Sequence, residues 1–358
     1  KVDGGPVWPG SGRIPIYGWG PCSASPPTTP CGDATGRDCR RPPTAWWVHS
    51  RAGSGGVSVD ECAARLRCHV QALAGDIGER NVWRPAALAA AAGYIRGELE
   101  ALGYAVRPQT YRVNDVDCDN LEVVIPGAAR PEEIVLAGAH YDTVEGSPGA
   151  NDNASGVAGV LELARQLRGA RLARTVKLVA FVNEEPPFFF SGEMGSKLYA
   201  QAARRRGDDI RVMLSLEMLG CYSDTPRSQA YPLFLRWFYP NRGNFIAFVS
   251  NLRSRLRLRE VVAAFRANSD FPSEHLASPA FVPGVAWSDQ LSFWRQGYAA
   301  VMVTDTAFYR YRHYHGPLDT PEKLSYPEMA QVITGLAKTI AALAGEPIGS
   351  VGFSVHPN

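Results

Sequence analysis

The chain has almost no net charge, no long apolar run and no internal repeat. Its 37 Lys and Arg residues face 35 Asp and Glu residues across 358 positions, leaving +2. This balance gives no reason to expect nucleic acid or an acidic membrane surface as a partner. The dense basic run, Arg253, Arg255, Arg257 and Arg259, is expected to be the solvated face of a helix leading to Phe265. No apolar stretch is long enough to span a bilayer. The sequence opens on Lys1 without a Met-initiated charged and apolar leader, so a signal peptide is expected to be absent or already removed. The seven cysteines contain no Cys-x-x-Cys zinc motif, and buried unreactive thiols are the expectation. No Gly-x-Ser-x-Gly elbow appears, which removes support for serine-based hydrolysis.

A hydrophobic content of 45% in 358 residues can bury a full core and suits one large α/β domain. The first fifty residues differ from the rest: they hold nine prolines, eight glycines and four of the eight tryptophans, with no sustained period of 2 or 3.6. This predicts an irregular segment over 1–60, with Trp46 and Trp47 packed on a main domain over 61–346 and a tail over 347–358. Within the domain, helices are predicted over 62–73, 86–102, 156–167, 193–203, 252–266, 289–295 and 328–343. Strands are predicted over 105–113, 120–125, 134–139, 176–182, 212–216, 245–249 and 299–303. The near-continuous apolar run 176–182 reads as a strand buried on both faces. Alternating strands and helices predict a three-layer α/β/α sandwich around a mixed, mostly parallel central sheet.

Metal-competent side chains recur at the predicted strand ends and in Gly-rich loops. The apolar run Ile134, Val135, Leu136 leads to Ala-Gly-Ala-His-Tyr-Asp-Thr, residues 137–143. Here His140 can bind a metal while Asp142 holds its ring, because a ligating histidine normally gives its other N–H to a carboxylate or carbonyl. In Gly-Ala-Asn-Asp-Asn-Ala-Ser-Gly, residues 149–156, the glycines let backbone crowd an ion and Asp152 can bridge two cations. Phe-Val-Asn-Glu-Glu-Pro, residues 181–186, ends a strand in adjacent carboxylates that point to different faces. One of the pair can bind metal while the other shuttles a proton. Each motif also has a plain structural reading: a hydrogen-bonded histidine, a helix cap, a solvated acidic pair. Together with Glu217 and His315, their order points to a two-zinc hydrolase whose ligands gather at the carboxyl ends of the strands.

These residues resemble the co-catalytic zinc aminopeptidase family, which includes bacterial leucyl aminopeptidases and, more distantly, glutamate carboxypeptidase and glutaminyl cyclases. The resemblance covers about 65–345 and is carried by the 140–152 block, Phe-Val-Asn-Glu-Glu-Pro-Pro-Phe, Ser-Leu-Glu-Met-Leu-Gly at 215–220, and Thr-Asp-Thr-Ala-Phe-Tyr-Arg-Tyr-Arg-His-Tyr-His at 304–315. It implies the zinc exopeptidase fold and two Zn2+ ions. Asp152 would bridge them, with His140 and Glu217 completing one site and Glu185 and His315 the other. It further implies Glu184 as general base, Asp142 as the partner behind the ligands, and Tyr314 as a hydroxyl that stabilises the oxyanion. His313 would be a spare histidine, and Asp289 a supporting residue. The sequence departs from the family pattern in carrying Glu217 where better-known members have Asp, and Gln290 where relatives often have His.

The implied activity is release of N-terminal, apolar residues from peptides with a free N-terminus, in a secreted or periplasmic setting. The alternatives are a zinc carboxypeptidase or amidohydrolase of the same fold and a non-catalytic binding module. The twelve-residue step from His140 to Asp152 favours the aminopeptidase, and the presence of His140 argues against a cyclase. The aromatic stretch between Glu217 and Phe245 has two open readings, a wall for a substrate pocket or a cover over the sheet edge.

Overall fold

The structure, a computed structural model, describes residues 58–345. The expected irregular segment up to residue 57, with Trp46 and Trp47, and the expected tail over 347–358 lie outside the described residues. The Ser58 hydroxyl accepts the Glu61 N–H at 3.1 Å. This cap starts helix α1 (Val59–Val70) earlier than the apolar period predicts, and Asp60 and Glu61 complement its dipole. Helix α2 (Pro85–Ala101) has Pro in its first turn and ends before Gly103, whose φ of 86° suits glycine.

Strands β1 (Arg107–Val113) and β2 (Val116–Ile125) form an antiparallel hairpin. There follow β3 (Arg130–His140), α3 (Gly156–Gln166), β4 (Arg174–Phe181), α4 (Gly195–Arg206), β5 (Asp209–Glu217), β6 (Ile246–Asn251), α5 (Arg255–Asn268), β7 (Ser273–Ser278), α6 (Gln290–Arg295), β8 (Ala300–Thr304) and α7 (Tyr326–Ala344). The sheet order is β1-β2-β4-β3-β5-β8-β6-β7. Its centre is parallel (β4-β3-β5-β8), β6 and β7 run parallel to each other, and β1/β2, β2/β4 and β6/β8 are antiparallel.

Helices α1, α3, α5 and α7 pack together on one face, while α4 and α6 cover the other. The expected three-layer mixed sandwich is therefore the observed one. Leu136 and Leu214, fully buried in the two central strands, each contribute about 1.5–3 kcal/mol through burial. Helix α3 lies so close to α7 that a Cβ on Gly159 would stand 2.8 Å from Ile333 Cδ1. Arg253, Arg255 and Arg259 are exposed at the start of α5, and Arg257 pairs with Glu260, as the charge pattern predicts.

Strand β7 is the element that the sequence reading lacks. Its six residues, Ser-Glu-His-Leu-Ala-Ser, form an edge strand that is mostly half-buried, so no apolar run marks it. Because β6 runs antiparallel to β8, the amino ends of β6 and β7 meet the carboxyl ends of β5 and β8. One cross-sheet row there joins Glu217 to Thr304, Thr304 to Ala247 and Ala247 to Glu274.

Candidate metal centre

His140 closes β3, fully buried, and its Nδ1 donates to the Asp142 carbonyl at 3.2 Å. The Asp142 carboxylate lies 3.5 Å from the same nitrogen but takes its hydrogen bonds elsewhere, accepting the Glu184 and Glu185 N–H groups at 3.1 Å each. The sequence reading pairs this carboxylate with the ring alone. In the fold it also aims the Glu184–Glu185 turn, because β3 and β4 are parallel neighbours whose ends leave those two N–H groups without a sheet partner.

Asp152 stands between two imidazoles. Its Oδ1 is 3.4 Å from His140 Nε2 and its Oδ2 is 3.2 Å from His315 Nε2. On the His140 side Glu217 Oε2 lies 3.4 Å from Nε2, and on the His315 side Glu185 Oε2 lies 3.2 Å from Nε2. Glu184 stands farther off, 3.8 Å from His140 Nε2. The Tyr314 ring stacks on His315 at 3.8 Å between centroids. His315 has a φ of 54°, a left-handed conformation that costs a non-glycine residue about 1–3 kcal/mol. All eight residues expected at the site are thus brought to one end of the sheet, whereas His313 stacks edge-on against Tyr311 and belongs to none of the ligand groupings.

The charge balance is lopsided, since Asp142, Asp152, Glu184, Glu185, Glu217 and Asp289 are all buried around two histidines. Burial pushes Glu184 well above the usual carboxylate range, with Glu217, Glu185 and Asp289 adding to the effect. Burial likewise raises Glu217, and lifts Glu185 and Asp289 to about 7. Burial works against the charge of His140, but Glu184, Asp142, Asp152 and Glu217 outweigh it and hold the ring well above its ordinary value. His315 follows the same logic, pushed up to about 11 by Glu185 and Asp152. Burial also opposes ionisation of Asp152, yet the two imidazoles hold it below the carboxylate range.

Buried negative charge in such excess calls for cations. The donor set fits them: His140, Asp152 and Glu217 form one group, and Asp152, Glu185 and His315 another, each with ligand atoms within 4.8 Å of one another. A third grouping, His140 with Glu184 and Glu185, overlaps both. His140 Nε2 and Glu185 Oε1 are buried with no hydrogen-bond partner among the described residues. Nitrogen and carboxylate oxygen donors in this number suit a borderline divalent ion such as zinc.

Much of the support came without a sequence signal. Asp319 accepts the N–H groups of Asn151 and Asp152 at 2.8 and 3.0 Å, and the Tyr311 hydroxyl at 2.8 Å. Asn151 accepts from Gly220 N and donates to Asp305, both at 2.8–2.9 Å. Asn153 accepts from Gly156 and Met218 N–H and donates to the Leu216 carbonyl. Together they tie the Asp152 loop to the end of β5. Arg80, fully buried, donates to the carbonyls of Leu73, Gly78, Tyr141, Pro148 and Gly149, fastening both sides of the His140 segment. Ser288 Oγ donates to Glu217 Oε2 at 2.8 Å and steadies this longer acid where aspartate was the pattern. Gln290 points away from the centre, donating to the Val285 carbonyl at 3.1 Å. Asp289 is buried with neither carboxylate oxygen hydrogen-bonded among the described residues.

An open pocket of about 850 Å³, counting the part continuous with solvent, adjoins Glu217 and Tyr314. Tyr231, Pro232, Leu235 and Tyr239 of the aromatic stretch line it, opposite Val282, Val285 and Trp287. The Tyr239 hydroxyl also donates to the His275 carbonyl on the edge strand at 2.9 Å. The stretch therefore both walls a pocket and covers the sheet edge.

Comparison with known proteins places the chain. Peptidase family M28 matches over residues 120–340. The uncharacterized protein YfbL of Escherichia coli is 40% identical over 254 residues, covering 68% of this chain and 77% of that one. A probable aminopeptidase of Saccharomyces cerevisiae is 26% identical over 58% of this chain, which spans only 53% of that protein's length. In fold, the chain is similar to the zinc aminopeptidase BSAP of Bacillus subtilis, with a TM-score of 0.61 at 16% identity, covering 78% of this chain and 95% of that one. The match over most of the chain, joined to a buried His and carboxylate centre at the strand ends, shows that this protein belongs to peptidase family M28 and is a metallopeptidase.

Proposed function

We propose that the protein is a zinc-dependent aminopeptidase that holds two ions, one by His140, Asp152 and Glu217 and the other by Asp152, Glu185 and His315. The observation that carries this reading is Asp152, whose two oxygens face different imidazoles, 3.4 and 3.2 Å away. Two such ions, when bound, supply Lewis-acid polarisation of a peptide carbonyl and a nucleophile at neutral pH. The chain's own residues supply the rest. Glu184, the carboxylate set back at 3.8 Å from His140, takes the proton from the attacking water and passes it to the leaving amine. Burial, with the surrounding carboxylates, pushes the Tyr314 hydroxyl well up. It therefore stays protonated and donates to the oxyanion as that develops.

Charge favours an amine terminus over a carboxylate. The centre is lined by buried carboxylates, and a positively charged substrate ammonium suits it better than a substrate carboxylate. Among the described residues the pocket lining contains acids and one histidine but no Lys or Arg to hold a C-terminal carboxylate. The apolar and aromatic walls take the side chain of the first residue.

The test is hydrolysis of a panel of aminoacyl-p-nitroanilides by purified protein, before and after chelation and with zinc restored. Zinc-dependent release is expected. Bound zinc without release of any residue would move the assignment to a carboxypeptidase or amidohydrolase, and absence of bound metal would point to a binding module.

A further inference from the structure

The far end of the pocket carries a carboxylate that the mechanism does not use. Glu217, Thr304, Ala247 and Glu274 are paired in one row across β5, β8, β6 and β7, and all four line the pocket. Residues paired across strands point to the same side, so this row is the pocket floor, with an acid at each end. Three strand spacings separate the two acids, roughly 14 Å between backbones. Glu217 stands at the metal centre, and Glu274 at the opposite limit, beside the stacked rings of Tyr231 and Tyr239. Burial raises the Tyr239 hydroxyl and the Glu274 charge adds to it, which marks their proximity.

Among the described residues Glu274 forms no ion pair or side-chain hydrogen bond, and its charge is felt only at a distance by its chain neighbour His275 and by Tyr231 and Tyr239. The guanidinium behind this wall, Arg310, donates through Nε and Nη1 to Gln229 and to the carbonyls of Cys221 and Phe245, and it lies over the Phe245 ring with Nη2 buried and without a partner among the described residues rather than paired with Glu274. Apart from Thr304, the surface between the two acids is apolar: Ala247, Phe245, Val249, Leu276 and Met302. An acid at the end of an apolar channel matches a long aliphatic stem that ends in a cation.

We infer that Glu274 selects substrates whose first residue is Arg or Lys, holding the side-chain cation while the α-ammonium lies at the Glu217 end. The inference rests on the aminopeptidase reading. It departs from a purely apolar preference, since Leu meets the apolar surface but is too short to reach Glu274.

The experiment is steady-state kinetics of the zinc-loaded protein and its Glu274→Gln variant on Arg-, Lys-, Leu- and Met-p-nitroanilides. The wild type should favour Arg and Lys over Leu and Met. Glu274→Gln should lower kcat/KM for the basic pair by about tenfold, chiefly through KM, while Leu stays within about twofold. Glu274→Ala should reproduce that selective loss, and activity on Leu serves in both variants as the control for folding. Cleavage of Leu without a basic preference, or an equal loss on all four substrates, would overturn the role of Glu274 and leave the aminopeptidase standing. Failure of the wild type on every anilide would overturn both.

Discussion

Buried carboxylates occur both on helix α3 and at the metal centre, and the protein treats them differently. Within the helix Glu162 is fully buried, with its oxygens on Arg65 Nε and Nη2 at 2.9 and 3.0 Å, on Arg165 Nε at 3.1 Å, and near His69 Nε2 at 3.9 Å. Burial works to raise this acid, but His69 and Arg65 outweigh it and hold it at about 2. At the metal centre Glu184, Glu185, Glu217 and Asp289 form no ion pair with arginine or lysine among the described residues and are all pushed up. Where the chain neutralises its own buried charge, the charge is structural. Where it leaves the charge standing, the fold is shaped for a cation from outside.

Substitutions in the two places should separate along that line. Glu184→Gln should reduce kcat about 10²- to 10⁴-fold with metal content and melting temperature retained, checked by steady-state kinetics beside metal analysis. Glu162→Gln should do the reverse, lowering stability by roughly 3 kcal/mol at neutral pH with kcat unchanged, as read by urea unfolding and turnover. Because the folded value of Glu162 is depressed, its contribution is present above the unfolded carboxylate range and is lost as pH falls through about 2. The wild-type advantage over Glu162→Gln should accordingly vanish in strong acid.

Smaller effects sharpen the comparison at the metal centre. Asp319→Ala frees two backbone N–H groups and the Tyr311 hydroxyl. It should weaken metal affinity about 10- to 100-fold, measured by competition with a chromogenic chelator. Ser288→Ala removes one hydrogen bond to Glu217 and should cost about 1 kcal/mol of metal binding in the same titration.

The parts legible in the sequence were those in which chemistry interrupts a strong pattern. Strands β3, β4 and β5 are buried on both faces, so apolar runs announce them, and His140, Glu184, Glu185 and Glu217 stand out where those runs stop. The conformations behind the site were not legible in this way. Asp319 meets Asn151 and Asp152 from about 170 positions away, and Arg80 reaches Pro148 and Gly149 from nearly 70. Both act on backbone groups, which any sequence supplies, so neither leaves a pattern of residue types. Glu274 escaped notice for a related reason: it lies on β7, the short polar edge strand, and becomes part of the pocket only through its register with Ala247.

The two-ion assignment turns on Asp152, and counting metal tests it most directly. Zinc-loaded protein, freed of excess metal, is analysed by plasma mass spectrometry beside Asp152→Ala, with circular dichroism to show that both are folded. The account expects two zinc ions per wild-type chain and loss of both sites' tight binding in Asp152→Ala. A single ion in the wild type, or two retained in Asp152→Ala, would contradict it.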